Sequence, residues 1–156
     1  MIELLKKMIM EEVVKGRALD RYATMASRET ISAIKDETVR EAFNTNGRVD
    51  FALDVPEITD DIDYLRMIII KMREGDRVAT DGAYEFDLDA DEDERTTSDI
   101  YVNVTLPPRY DEDYSFMSRL VAELKETFRH ELEHSSQSTE ELMAVQRAVP
   151  DRQVWK

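Results

Sequence analysis

Apolar residues recur three and four positions apart from Ile2 to about Phe43: Ile2, Leu5, Ile9 and Val13 first, then Ile31, Ile34 and Phe43 with Thr38 between them. That period predicts helix. Gly16 either splits the segment in two or is carried at a cost of about 1 kcal/mol relative to Ala. Turn chemistry at 44–47 ends it. The period then drops to two. Val49, Phe51, Leu53 and Val55 alternate with Asp50, Ala52 and Asp54, which predicts a half-buried strand over 48–55, stopped by Pro56. Thr59 followed by Asp60, Asp61 and Asp63 reads as an N-cap and acidic first turn, predicting a helix to about Glu74 with Gly75 as its stop. A turn at 80–82 leads into Tyr84, Phe86 and Leu88, alternating with Glu85, Asp87 and Asp89. Past an acidic loop at 91–94, a third alternating run, Ile100, Val102, Val104 and Leu106, closes at Pro107 and Pro108.

A long helix is predicted from Phe116 to about Ser135, opened by Ser115 or by the acidic residues 111–113. After a polar break at 135–138, Ser138 and Glu141 have capping-box spacing for a last helix from Thr139 to about Ala148, ended by Pro150. The predicted class is α+β: N-terminal helices, a small sheet of three to four one-sided strands with an acidic face in water, and a long helix near the C-terminus. With four Gly, four Pro and no repeat, residues 1–156 read as a single domain.

Composition narrows the function classes. The chain has 35 Asp plus Glu against 21 Lys plus Arg, a formal net charge of -14. That balance excludes the basic patch a nucleic acid needs and disfavours an anionic membrane surface. A 42% hydrophobic content suffices for a core. The absence of cysteine rules out disulfides, thiolate zinc sites and cysteine nucleophiles. Charges punctuate residues 1–15, and the longest apolar run, 67–70, is far too short for a membrane span. A soluble, cytoplasmic protein is the expectation.

One constellation carries chemistry. Both histidines lie within His130-Glu131-Leu132-Glu133-His134, inside the segment predicted to be helical. Positions i and i+4 stack one above the other, so two imidazoles can converge on one metal ion. Glu131 is rotated by about 100° from His130, near enough to reach a metal-bound water as its general base without being a ligand. Met117, Leu120, Val121, Leu124 and Phe128 form the core-facing stripe, which puts the histidines on its flank and Glu131 at its edge. For two histidines placed at random, this spacing with glutamate after the first has a chance of roughly 0.1%, and the bland reading is a solvated helix face.

The motif at 130–134, in a helix preceded by the alternating run 99–106, resembles the zincin metallopeptidases. The resemblance implies one Zn2+ ion held by His130 and His134, Glu131 as general base, and a peptide or protein substrate aligned along the strand carrying Tyr101, Asn103 and Thr105. The stretch RHELEHSSQS at 129–138 also resembles small predicted peptidases encoded by phages, which implies the host cytoplasm or a virion as location. A zincin needs a third protein ligand. No further histidine exists, and the 22 residues after His134 offer Glu140, Glu141 and Asp151. Glu141 is close in sequence and Asp151 is better spaced, and an end at Lys156 is compatible with a chain cut short of its third ligand.

Other candidates are weaker. Read as an EF-hand loop from Asp87, the sixth position is Glu92 where glycine is needed and the twelfth is Ser98 where glutamate is needed, so a solvated acidic loop is expected. Tyr101, Tyr110 and Tyr114, or Arg109, Arg119 and Arg129, could stabilise an oxyanion, with packing or exposure as the plainer reading. Met1, Met8, Met10 and Met25 fit either core filling or a flexible partner-binding face. The alternative to a zinc peptidase is a non-enzymatic acidic structural or interaction protein, such as a virion or scaffold component, or a metal-binding pseudoenzyme.

Overall fold

The computed structural model describes residues 2–89 and 94–148. Over these residues the chain is α+β, with five α-helices and four strands in one mixed sheet. Helix α1, Ile2–Ile34, runs through Gly16 without a break. Asp36 then caps α2, Glu37–Asn46, accepting from the amides of Thr38 and Val39, and Gly47 closes it at φ 72°. That left-handed position is open to glycine at no steric cost.

Strand β1, Arg48–Ala52, ends earlier than its alternating pattern, because Pro56 begins the short helix α3, Pro56–Thr59, instead of merely stopping a strand. The helix expected over 60–74 is absent. Residues 60–64 form a turn, ended by Tyr64 at φ 69°, and Leu65–Glu74 is strand β2. Three consecutive isoleucines, stiff at χ1 and suited to a pleated surface, outweigh the acidic helix-start signal. Strand β2 is also internal, paired antiparallel with β1 and parallel with β4. Its outer-face residues Met67 and Ile69 are apolar and half-buried, which removes the alternation that would have identified it.

Strand β3, Ala79–Leu88, includes the residues expected to turn at 80–82, and β4, Arg95–Leu106, lies between β2 and β3. The sheet order is β1-β2-β4-β3. Of the acidic loop predicted at 91–94, residues 91–93 lie outside the described residues, and Asp89 donates its N–H to the Glu94 carbonyl at 2.7 Å. Gly75 admits a sharp connection from β2 to β3: a Cβ there would meet the Thr105 side chain at 2.4 Å.

One sheet face carries Val49, Phe51, Ile68, Ile70, Met72, Tyr84, Ile100, Val102 and Val104, the inner set that alternation predicts for three of the strands. Helix α4, Met117–Ser136, packs there with Leu120, Leu124, Phe128 and Leu132 fully buried, beside the second half of α1. Each such side chain contributes roughly 1.5–3 kcal/mol. The outer face is mixed in charge rather than acidic. Arg73 pairs with Asp50 and Arg66 with Asp99, each at 2.6 Å, and Lys71 lies 4.8 Å from the Tyr101 ring centre. Ser138 Oγ accepts from the Glu141 amide at 3.1 Å and starts α5, Thr139–Ala148, as the capping box predicts. Pro150 and residues 151–156 lie outside the described residues.

Candidate functional site: a histidine pair and a buried glutamate at a sheet edge

His130, Glu131 and His134 project from the fourth and fifth turns of α4. Their local order follows from the stripe beneath them. Leu124, Phe128 and Leu132 fix which side of the helix meets the sheet, and Glu131 falls on that side. It is deeper than its expected place at the stripe's edge, only 1% exposed. His130 sits at the surface and His134 is half-buried, the flanking placement that the helical wheel predicts.

The two imidazoles converge. Their Nε2 atoms are 3.2 Å apart and their rings meet edge to face, centroids 4.6 Å apart. Gln137, at the C-terminal end of α4, places Oε1 at 3.0 Å from His134 Nδ1. A proton on Nδ1 satisfies that contact and leaves the His134 Nε2 lone pair directed at His130, the tautomer a metal ligand needs. The pair fits a shared ion on distance: two nitrogens about 2.0–2.1 Å from one tetrahedral zinc lie roughly 3.3–3.4 Å apart. Among the described residues, no group of three His, Asp or Glu side chains could hold a metal. Glu141, expected as a possible third ligand, does not join the histidines; it lies exposed in the first turn of α5. Asp151, the other candidate, is outside the described residues.

Glu131 is electrostatically unusual. Burial raises its carboxyl pKa to about 8, and the neighbouring Asp81 carboxylate adds to the rise. Oε1 lies 4.0 Å from His130 Nε2, and Oε2 is a buried oxygen without a hydrogen-bond partner. An ionised carboxylate left so is costly. Such a group is stable either protonated or beside a cation.

The wall facing Glu131 is β3. Thr80 Oγ1 lies 2.8 Å from Thr127 Oγ1 and 3.3 Å from the Glu123 carbonyl, tying helix to strand. Gly82 makes the closest approach: a Cβ there would sit 2.7 Å from Glu131 Cγ and 2.9 Å from both Glu131 Oε1 and Thr127 Cγ2. A cleft of about 530 Å³ runs along this seam, lined among others by Arg77, Asp81, Gly82, Arg119, His130 and Glu131. Sequence reasoning took residues 80–82 for a turn and so missed this wall. The only available signal was a glycine in a strand-like context, which marks close approach.

The strand expected to align a substrate is misplaced for that role. Tyr101, Asn103 and Thr105 lie on β4, whose two edges are both paired, to β2 and to β3. They also point to the sheet face away from α4, in register with Ala83, Asp81 and Ala79. Strand β3 is the edge strand beside the histidines. Of the other candidates, Arg119 reaches the cleft, paired with Glu123 at 3.1 Å. Tyr110 is buried in the core and donates to the Ile34 carbonyl at 2.7 Å, while Tyr114 is 39% exposed near Lys35. Arg109 pairs at the surface with Glu112, and Arg129 pairs with Asp20 and Glu133.

The C-terminal end of α4 is clamped by Arg95. Its buried guanidinium donates to the carbonyls of Ser135 and Gln137, to Tyr84 Oη at 2.7 Å and to Thr139 Oγ1 at 3.1 Å. A cation on the last carbonyls of a helix complements its dipole, and here it fixes the turn that holds Gln137. Against protein-family models, curated proteins and solved structures, the chain has no match. No described helix is long and apolar enough to cross a membrane.

Proposed function

We propose that this chain is a zinc-dependent peptide hydrolase of the zincin kind, in which His130 and His134 hold the ion and Glu131 is the general base. One observation carries the reading: two Nε2 atoms 3.2 Å apart stand next to a carboxylate that is 1% exposed and has an unpartnered oxygen. A solvated helix face gives no reason to bury that glutamate. Zinc, once bound, supplies a Lewis acid that polarises a carbonyl and brings the pKa of a coordinated water to about 7.

Glu131 then accepts a proton. Its pKa of about 8 matches a base working near neutrality, and a divalent charge beside it favours the ionised form that accepts. Strand β3 takes the aligning role, because its outer edge can receive an extended peptide as an added strand. Arg77 and Arg119 line the same cleft as Asp81, Glu123 and Glu126, so the site offers both signs of charge to a substrate. The acidic surface as a whole favours basic or neutral peptides.

Metal analysis of protein purified without added zinc tests the first half of this reading. Near-stoichiometric zinc that His130→Ala and His134→Ala each lose supports it. Failure to retain zinc, even after equilibration with micromolar zinc, overturns it. Cleavage of casein that disappears in Glu131→Gln supports the second half, and zinc without such cleavage identifies a metal-binding pseudoenzyme.

A further inference from the structure

Gln137 meets the His134 ring from just outside the helix that carries it. As the C-cap of α4 it is extended, at φ -73° and ψ 153°, and its own N–H reaches back to the His134 carbonyl at 3.2 Å. Helix ends fray unless their last carbonyls find donors. The glutamine side chain also has several torsions to lose, so Oε1 stays 3.0 Å from His134 Nδ1 only while the backbone beneath it is fixed.

We infer that Arg95 is the positioning residue of the histidine pair: it holds the turn from which Gln137 fixes the orientation and the tautomer of His134. The guanidinium is 6% exposed and commits four of its five N–H groups to three elements. On α4, Nη2 donates to the Gln137 carbonyl and Nη1 to the Ser135 carbonyl at 3.4 Å. On β3, Tyr84 Oη accepts from Nη1 at 2.7 Å, and on α5, Thr139 Oγ1 accepts from Nε at 3.1 Å. Thr139 is anchored in turn by donating to Glu94 Oε1 at 2.6 Å. Tyr84, Ser135 and Thr139 are buried, so water does not replace the guanidinium among them. Anchors spread this way suit a rigid fork; a lysine ammonium, a single point, does not serve Tyr84 and Thr139 together. The clamp also brackets the seam beside the histidines. Thr80 and Thr127 pin β3 to α4 on one side of Gly82, Tyr84 pins it through Arg95 on the other, and Glu131 meets Gly82 between the two pins. A cleft of about 680 Å³ opens beside Arg95, lined also by Tyr22, Asp61 and Tyr64, but it finds the fork already occupied and the Tyr64 ring centre 5.3 Å from Cζ. Arg95 therefore serves the turn and not a ligand in that cleft.

The inference rests on the zinc reading for its effect on the metal, and its first test needs no metal. In metal-free protein at about pH 8.5, well above the ordinary imidazole pKa, long-range 1H–15N spectra separate the two tautomers of each ring, and comparison with His130→Ala assigns them. His134 is expected to carry its proton on Nδ1, and Arg95→Met to shift it toward the mixture of a free imidazole. Chelator competition on the same variant is expected to show zinc held about 10–100-fold more weakly. Arg95→Lys keeps a charge on the carbonyls but loses the fork; it guards against loss of fold and is expected to fall between wild type and Arg95→Met in both measurements. Phe43→Leu, a cavity-forming change in buried α2, is expected to lower the thermal midpoint without moving the tautomer. Because Arg95 acts through Gln137, Arg95→Met/Gln137→Ala is expected to hold zinc no more weakly than Gln137→Ala alone. Additive losses overturn the inference. So does a folded Arg95→Met or Arg95→Lys with the wild-type tautomer, a wild type without the Nδ1 proton, or a Phe43→Leu that shifts the tautomer as far. Zinc bound by a chain whose His134 ignores Arg95 sinks this inference and leaves the zinc reading standing. The Nδ1 tautomer, lost with Arg95 in a chain that binds no zinc, does the reverse.

Discussion

Glu131→Gln is expected to stabilise the metal-free protein at alkaline pH while abolishing hydrolysis. The carboxyl has a pKa of about 8 in the folded chain against 4.5 as the ordinary value, with burial as the main cause and Asp81 as the second. Between those values the folded state holds a proton that the unfolded state has released. Stability contributed by the protonated form is therefore full below about pH 4.5 and is lost as pH rises toward 8, with a slope near 1.4 kcal/mol per unit. From about pH 5 to about pH 8 the loss comes to roughly 3–4 kcal/mol, since the group is half-ionised at the upper end. Glutamine has nearly the same shape and never ionises. At about pH 5 the two proteins should agree to within roughly 1 kcal/mol, the usual scale of one altered hydrogen bond. At about pH 8 the variant should lead by most of that 3–4 kcal/mol. Urea unfolding followed by far-ultraviolet circular dichroism, with a chelator present, measures both. Taking the difference between variant and wild type cancels the titration of every other acidic group. A difference that stays constant from pH 5 to pH 8 would refute the argument, because it would mean the carboxylate is solvated in the folded state. Zinc should erase much of the variant's advantage at pH 8, since a divalent neighbour favours the ionised wild-type side chain.

Two more substitutions probe the walls of the site. Gly82→Ala drives a methyl group against Glu131 and Thr127 and is expected to cost about 1–3 kcal/mol, lowering the thermal midpoint by roughly 3–10 °C. An unchanged midpoint would show that β3 and α4 are further apart than the distances here. Gln137→Ala removes the acceptor of His134 Nδ1 and is expected to weaken zinc retention by about 10–100-fold in chelator competition, with little change in unfolding free energy. Unaltered affinity would show that His134 is oriented without it.

The sequence by itself determined the helical segments of α1, α2, α4 and α5, because a 3.6-residue period and caps are local, while the helix expected over 60–74 gave way to a turn and strand β2. Asp36, Gly47 and the Ser138–Glu141 pair act within a few residues of themselves, and α4 and α5 begin and end within about two residues of their predicted limits. It also determined the inner faces of β1, β3 and β4 and the stacking of His130 on His134, which i,i+4 geometry fixes. Tertiary structure decided the rest. Met67–Ile70 carries no alternation, since its outer-face residues Met67 and Ile69 are apolar as well, and only the pairing with β1 and β4 makes it a strand. The edge beside the histidines depends on β4 entering between β2 and β3, a matter of sheet order that no local pattern encodes, so the free edge belongs to β3, read in part as a turn, and not to the strand of Tyr101, Asn103 and Thr105. The depth of Glu131 depends on Gly82 approaching from a strand nearly fifty positions away. Periodicity likewise marked Ile2, Leu5, Ile9 and Val13 as apolar, but whether the body reaches them is set by where α4 ends, and it does not. Local chemistry follows from neighbours along the chain, whereas burial is settled by whatever the fold brings alongside.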